Sequence, residues 1–490
     1  MIFKRYLLLA IAVLVSISAF SQAGTFTKMF TSNSYDEGIA AFRMPNKTYR
    51  IIANTGAWGW GSSNIWYITL DSNANFVKHK TIGYGGIDNA RAAAIDSKGN
   101  TYIIGSSTSD IGNSYQMLFV ALDSSGALIT KKYFGNSNWD FGNGIKIIND
   151  TTIILVGETY SYASQQSNAW VMKIKNTGDI IWSKSVGGNL KDAFYAVEEA
   201  KNGDIICVGN SQSYGNGSYN PFMYRCTNIG DSISQIINAD STEGRFTDII
   251  VAADSSYIIS GYQWDTTNTY HDLSLQHYTK NNQLIWNEGS LLQKQDASFN
   301  ALAFRGNSIL AFGKTTLYGS EGDNIYCAKI NSGNGTWMDG FVAGEKGDES
   351  AYSVTTDTSN NQTHYLIVGS SSSYNMVHTG VYFMRVNFDL EFDTTMVIDM
   401  PSAINSVENQ VLSIDVFYDS PQRKIIIDKI SEFDNNKASI KIYDVAGRCI
   451  YSENWIANRQ AIISTKAWSI GTYLIKISSS NKSFSKLIIL

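Results

Sequence analysis

Apolar and polar positions follow one repeating pattern along most of this chain. Each copy has an apolar strand ending in a glycine, a loop rich in Ser, Tyr, Gly and Asn, and a second apolar strand. The first strand ends at Ala53, Gly105, Gly157, Gly209, Gly261, Gly313 and Gly369, in steps of 52 residues with a last step of 56. A period of this length is typical of units that bury their faces by stacking, and it predicts β-propeller blades.

Four short strands are predicted in each copy. In the second copy, Arg91 to Ile95 forms the innermost strand and a turn containing Gly99 follows it. No stretch here has the apolar spacing of an amphipathic helix. We therefore predict an all-β fold, with a seven-bladed β-propeller over residues 25–397. Its repeats start near residues 35, 87, 139, 191, 243, 295 and 347.

Closure of the predicted ring has two candidate strands. Residues 25–34 resemble the outer strand around Lys132 and Phe134 at twice the period, so they could pair with the last blade. Such pairing would remove an exposed sheet edge. An alternative outer strand lies at Glu391 to Val397, and the sequence leaves the choice open.

The first 21 residues have the pattern of a secretory signal peptide. Lys4 and Arg5 precede an apolar run, and Ala19-Phe20-Ser21 forms a small-x-small cleavage pattern near Ser21. No later stretch is apolar for long enough to span a membrane as a helix. We expect an exported protein without a transmembrane segment in its mature chain.

The net charge and the absence of several catalytic motifs argue against some classes of function. The chain has 38 basic and 43 acidic residues in short runs, which argues against nucleic acid as a partner. It has no nucleophile elbow, no zinc-protease motif and no phosphate loop, and its five histidines lack metal-ligand spacing. The sequence therefore predicts no metal and no cofactor, and the catalytic residues stay unknown. The sequence is compatible with the pair of catalytic carboxylates that a glycoside hydrolase uses, since two separate blades could each supply one.

A second domain follows the repeats. Residues 398–410 read as a linker, and about seven short strands over residues 411–490 predict a small β-sandwich. Two hairpin-like segments and a Lys-aliphatic end stand out here. Their key residues are Asp444, Gly447, Gly471, Tyr473 and Lys486.

This segment resembles the C-terminal sorting domains (type A-like) of proteins exported by the type IX secretion system of Gram-negative bacteria. The resemblance implies that residues 411–490 engage the type IX secretion machinery. It also implies a final location that is extracellular or on the outer cell surface.

One acidic position recurs before the innermost strand. Its members are Asp36, Asp88, Asp140, Asp192, Asp296 and Asp348. Calcium sites gather several oxygens in one loop, whereas this column supplies one carboxylate per blade. We therefore expect these residues to accept backbone N–H bonds and fix the turns between blades.

Aromatic residues in the long loops allow two interpretations. Trp58 and Trp60 belong to a set of loop aromatics that could stack on sugar rings beside polar groups. Because an aromatic recurs in most copies, a role in building the blades, in which each loop packs against its neighbour, is the competing interpretation.

The fifth copy departs most from the repeat. Gly244 replaces the Asp and Arg245 follows it, while the predicted loop at residues 261–272 contains further candidate contacts. The candidate ligand-binding residues of this copy are Arg245, Trp264, Asp265, Tyr270 and His271.

Three hypotheses follow from the sequence. The first is an exported cell-surface or secreted binding module for a glycan or a surface protein. The second is a structural or adhesive surface protein without a small-molecule site. The third is a carbohydrate-active propeller enzyme, which predicts two carboxylates of perturbed pKa facing each other in the central channel.

Overall fold

The computed structural model describes residues 24–399 and 416–489 with short gaps. The gaps are residues 59–60, 84, 110–113, 164, 239–242, 266–269, 290–295, 317–321, 360–361, 375, 377, 420–422, 428–436, 445–447, 457–460, 470–471 and 479–482. Internal contacts divide the chain into two compact units, Met1–Ile404 and Asn405–Leu490. The predicted signal peptide and most of the predicted linker lie outside the described residues.

Strands are the regular elements of the described residues, and the prediction of an all-β fold is confirmed. The first unit begins with β1 (Phe26–Phe30), β2 (Asp36–Arg43), β3 (Tyr49–Thr55), β4 (Gly61–Leu70), β5 (Phe76–Ile82), β6 (Gly86–Ile95), β7 (Thr101–Ser107), β8 (Gln116–Leu122), β9 (Leu128–Phe134), β10 (Asp140–Asn149), β11 (Thr152–Thr159), β12 (Asn168–Lys175), β13 (Ile180–Val186) and β14 (Asp192–Glu199). It continues with β15 (Ile205–Ser211), β16 (Asn220–Cys226), β17 (Ser232–Ile237), β18 (Gly244–Val251), β19 (Tyr257–Asp265), β20 (Tyr270–Tyr278), β21 (Leu284–Glu288), β22 (Ala297–Arg305), β23 (Ser308–Thr315), β24 (Asn324–Asn331), β25 (Trp337–Ala343), β26 (Glu349–Ser359), β27 (Gln362–Ser371), β28 (Gly380–Val386) and β29 (Met396–Asp399).

These strands form antiparallel sheets in chain order. β10–β13, β14–β17, β18–β21 and β22–β25 are each a four-stranded sheet. β2–β5 and β6–β9 follow the same order, and a short parallel pairing of β4 with β6 joins them. The first strand of each group contacts the first strand of the next, and β26 contacts β2 in turn. The first strands therefore surround a central channel.

Both candidate strands take part where the ring closes. β1 pairs antiparallel with β28, so an N-terminal strand completes the sheet of β26–β28. β29 then pairs in parallel with the outer side of β1. Met29 and Phe30 of β1 are fully buried, so the closing strand is also part of the core.

The apolar core lies between neighbouring sheets. Ile154 and Val171 of one sheet pack in one cluster with Phe194 and Phe222 of the next, and these two Phe rings stack 5.6 Å apart. Because such sheets are covered on both faces, a middle strand such as β8 is buried at all its positions.

A β-bulge interrupts each first strand at the same place. The bulges follow Gly38, Ala90, Gly142, Phe194, Phe246, Phe299 and Ala351. A bulge leaves one residue unpaired and brings the first-strand carbonyl against the repeat glycine. A Cβ atom at Gly157 would lie 1.9 Å from the Phe141 oxygen, so close backbone approach favours glycine at this position, which Ala53 occupies in the first copy.

The second unit contains two sheets around one apolar cluster. Its strands are β30 (Val416–Asp419), β31 (Lys424–Ile427), β32 (Lys437–Tyr443), β33 (Cys449–Ile456), β34 (Ala461–Ser464), β35 (Thr472–Ser478) and β36 (Ser483–Ile489). One sheet has the order β30-β31-β34 and the other β33-β32-β35-β36. Ile425 and Ile463 of the first sheet share the cluster with Ile440 and Ile475 of the second. Across the described parts of both units, no helix is long and apolar enough for a membrane crossing.

Candidate functional site

A cavity of about 1160 Å³ opens at one end of the central channel. The unpaired bulge residues line it, and they differ in size and charge. They are Ile39, Arg91, Asn143, Tyr195, Thr247, Asn300 and Tyr352. A repeated backbone feature therefore presents a different side chain from each sheet.

Some bulge residues also link neighbouring sheets. The Asn143 amide donates to the Phe194 carbonyl and the Asn300 amide to the Ala351 carbonyl, both at 2.9 Å. These two contacts join the bulge of β10 to that of β14, and the bulge of β22 to that of β26. Among the described residues, the side chains of Arg91, Tyr195 and Tyr352 do not bond to the bulge of the next sheet, so they give the cavity wall its distinct chemistry.

A cationic and aromatic cluster occupies the part of the wall built by β18–β20. The Arg245 guanidinium lies 4.3 Å from the centroid of the Tyr195 ring and 5.2 Å from that of Tyr262. The His271 ring is 5.0 Å from Tyr262 and 4.8 Å from Trp264, which does not itself line the cavity. Cross-strand pairing explains this grouping, since Arg245 faces Tyr262 and Trp264 faces His271 in the ladders.

Three of the predicted contact residues, Arg245, Trp264 and His271, thus come together. The predicted loop at residues 261–272 is mostly strand, because β19 extends to Asp265 and β20 starts at Tyr270. Asp265 and Tyr270 pair at the end of this ladder. Tyr270 precedes His271 on the same strand, and it therefore points to the opposite sheet face.

Trp58 is away from this cluster and does not line the cavity. Its ring packs 5.1 Å from Trp66 and 4.5 Å from His79, in the core beside β4. This contact fits the packing interpretation of the loop aromatics. Trp60 lies outside the described residues.

The acidic column divides into two groups. Asp36, Asp88, Asp140 and Asp192 are buried and accept bonds from nearby Ser or Thr hydroxyls. Asp296 and Asp348 are exposed and stand just before their strands. Buried Glu349 takes the equivalent place in the last sheet, where it accepts a bond from Ser371 at 2.7 Å.

Carboxylates near the cluster have partners or are shielded from water. The Asp296 carboxylate lies 3.3 Å from Nδ1 of His271 and also accepts a hydrogen bond from the backbone N–H of His271. Asp323 forms an ion pair with Lys314. Glu158 lines the cavity, and burial raises its pKa although a hydrogen bond with Tyr160 opposes the shift.

Two further carboxylates lie on neighbouring first strands. Burial raises the pKa of Asp248 to about 7, against hydrogen bonds from the Ile249 and Leu302 backbone. Burial also raises the pKa of Glu198, although an ion pair with Lys146 at 2.5 Å opposes it. Within the described residues, no group of three His, Cys, Asp or Glu side chains forms a metal site.

The sorting-domain residues are placed in the second unit. Asp444 accepts bonds from the Arg448 backbone N–H and Nε at 2.9 and 3.0 Å, which fixes the β32–β33 turn. Tyr473 is buried and donates to the Ser469 carbonyl at 2.8 Å. Gly447 and Gly471 lie outside the described residues, and Lys486 is in β36.

Comparison with known proteins identifies the second unit and the fold of the first. Residues 417–490 match the secretion system C-terminal sorting domain family. No curated protein matches the chain.

Solved structures resemble the chain in fold at low identity. A polysaccharide lyase, PL25 ulvan lyase, has a TM-score of 0.50 at 10% identity, covering 74% of this chain and 95% of its own. The β-propeller domain of the Trilobed protease from Pyrococcus furiosus has a TM-score of 0.43 at 7% identity, covering 76% and 97%. The extracellular domain of a B. thetaiotaomicron protein described as a one component system has a TM-score of 0.42 at 12% identity. That match covers 93% of this chain and 57% of the other.

The cyclic contacts between the sheets and the match to the sorting-domain family lead to one conclusion. The sorting domain directs the protein through the type IX secretion system to the cell surface or extracellular space. The chain is a β-propeller protein that carries the C-terminal sorting domain of this system at residues 417–490.

Proposed function

We propose that the chain is an exported, seven-bladed β-propeller binding module that holds a glycan in its central cavity. The blades are the sheets that follow the repeat, from the four strands β2–β5 to the last sheet of β26–β28 with β1 and β29. A signal peptide at residues 1–21 and a sorting β-sandwich at residues 411–490 complete this organisation. The cluster of Arg245, Tyr262 and His271 in the cavity wall, with Tyr195 beside it, is the observation that carries the proposal.

The chemistry of this cluster suits a sugar. Flat aromatic rings cover the apolar face of a pyranose, while amide, carboxylate and hydroxyl groups bond its hydroxyls. Tyr195 and Tyr262 supply rings, and Asn143, Ser298 and Asp296 line the same cavity. Its volume of about 1160 Å³ exceeds the roughly 300–1,000 Å³ of pockets for drug-sized ligands, so several sugar units have room.

The variable bulge residues favour binding over a purely structural or adhesive role. A residue needed for blade construction recurs from copy to copy, as the repeat glycine does. Arg91, Tyr195 and Tyr352 occupy one backbone position with three different side chains. Differences at one repeated position, all facing one cavity, are what a specific ligand would require.

Glycan binding tests the proposal directly. We expect a glycan array followed by calorimetry to identify a ligand, and Tyr262→Ala to weaken its affinity about 10-fold, since losing a stacked ring costs about 1 kcal/mol or more. Trp337→Ala is the matched control, because Trp337 is exposed on the outer strand β25. Equal affinities for the two variants, or no binding to any glycan class, would contradict the proposal.

A carbohydrate-active enzyme is the second candidate function. The raised pKa of Glu158, beside Tyr195 and Arg245 in the cavity, suits a general acid and is the observation that favours it. An enzyme would shorten the bound glycan, and Glu158→Gln would slow that reaction about 100-fold or more. Chromatography of the glycan after incubation decides between the two, since a binding module leaves its length unchanged.

A further inference from the structure

We propose that the glycan is anionic and that Arg245 binds its carboxylate or sulfate group. This inference rests on the proposed function, because it names the ligand class of the same cavity. It follows from the state of the Arg245 guanidinium and from the charges around it.

Arg245 lacks an anionic partner in the described part of the chain. Its Nε is buried without a hydrogen-bond acceptor. By contrast, buried Arg225 pairs with Asp204 and buried Arg385 with Asp357. A shielded cation with unused donors is costly, and a bound anion relieves that cost.

The guanidinium is also held in position for a ligand. It lies over the Tyr195 ring at 4.3 Å and beside the Tyr262 ring at 5.2 Å, in the wall of the cavity. Stacking on rings fixes the plane of an arginine and leaves its N–H edge free for paired bonds to two oxygens. A carboxylate or a sulfate ester offers two such oxygens.

The carboxylates that line the cavity disfavour a ligand with many negative charges. Asp296 is engaged by His271, Asp323 by Lys314 and Glu349 by Ser371, so these carboxylates do not neutralise Arg245. Glu37, Glu158 and Asp348 also line the cavity. When ionised they would repel a ligand with many negative charges, which favours a glycan that places a single anionic group at Arg245.

Matched pairs of ligands test the inference. Calorimetry on the full chain would compare oligogalacturonate with its carboxyl-reduced form, and oligocarrageenan with its desulfated form. We expect one anionic member to bind at least about 10-fold more tightly than its neutral counterpart, since a charged hydrogen bond contributes about 1.5–3 kcal/mol. The pair that shows the difference identifies carboxylate or sulfate.

Substitutions of Arg245 test whether this residue causes the difference in affinity between the anionic and the neutral ligand. We expect Arg245→Met to reduce the anionic preference to within about 2-fold, and Arg245→Lys to keep part of it. Arg50→Met is the matched control, because Arg50 lies 5.0 Å from the Tyr67 ring but donates to the Gly99 and Ser124 carbonyls.

The outcomes separate the two proposals. Equal binding of anionic and neutral members, or an unchanged preference in Arg245→Met, overturns the inference and leaves glycan binding intact. Binding of no glycan of either kind overturns both. Thermal melts show which variants fold, and Arg245→Lys replaces Arg245→Met if the latter does not.

Discussion

Asp140 and Asp348 belong to one sequence column, but the structure predicts very different costs for removing them. Asp140 is fully buried and accepts bonds from the Thr159 and Ser161 hydroxyls, both at 2.5 Å, and from the Asn136 N–H at 3.2 Å. Asp348 is exposed and accepts the Asp323 N–H at 3.0 Å. Truncation to Ala therefore leaves several buried donors without an acceptor at one site and one exposed donor at the other.

The magnitude follows from the bonds lost. Each hydrogen bond to a charged group contributes about 1.5–3 kcal/mol, and the removed desolvation cost of the carboxylate offsets part of the total. We expect Asp140→Ala to lower the free energy of unfolding by about 3 kcal/mol and Asp348→Ala by less than about 1 kcal/mol.

Urea unfolding of the full chain, followed by tryptophan fluorescence, measures both variants. Comparing them within one chain cancels the contribution of residues 405–490, provided the slope of the transition is unchanged. Equal losses for Asp140→Ala and Asp348→Ala would refute the assignment of the buried bonds as the source of stability. A loss below about 1 kcal/mol for Asp140→Ala would refute it as well.

Three further predictions concern pH, ring closure and export. Between about pH 4 and pH 7 the unfolded chain releases the Asp248 proton while the folded chain keeps it, since burial raises the folded pKa from 3.8 to about 7. Rising pH therefore destabilises the parent relative to Asp248→Asn, and a urea midpoint difference that stays constant from pH 4 to pH 7 contradicts this. Phe30→Ala should cost about 3–5 kcal/mol, against less than about 1 kcal/mol for exposed Phe388→Ala, in the same urea assay. Deleting residues 411–490 should retain the protein in the periplasm of its own cells, as fractionation and immunoblotting would show, and normal export of the truncated chain would contradict this.

The repeat could be found from sequence because its glycine has a steric cause. In six of the seven copies a Cβ atom at the glycine would clash with a carbonyl oxygen of the first strand, so glycine recurs at a fixed step, and Ala53 takes its place in the first copy. Alternation then predicted strands and excluded helices, and the structure agrees. The closing strand could not be chosen, since both β1 and β29 carry suitable patterns and the structure uses both.

A change of register in one copy means that the acidic residues of the sequence column do not all occupy the same structural position. One residue fewer separates Phe299 from Gly313 than Phe246 from Gly261, because the hairpin between β22 and β23 is shorter. The glycine kept its step while the first strand moved by one position. Asp296 therefore falls just before its strand, and Ala297 occupies the place that buried Asp residues take elsewhere.

The candidate site was found in part. Arg245, Trp264 and His271 could be predicted because they lie in the copy that departs from the repeat. Their partner Tyr195 could not, because it belongs to another sheet and its contact with Arg245 depends on how the sheets pack. The bulge residues have no shared chemistry, and a bulge leaves no mark in the apolar pattern. Their common position becomes visible from the strand register.

The use of β1 as the closing strand imposes an order on folding. During synthesis Phe26–Phe30 is made first, but its partner Gly380–Val386 is made after every intervening sheet. Joining ends so far apart costs about 5 kcal/mol of loop-closure entropy, unless the stacked sheets have already brought them near. The ring therefore cannot close until Gly380–Val386 has been made, and the last contact to form joins its two ends. Once made, that contact holds both termini of the ring in one sheet, so fraying cannot begin at either end without breaking the other.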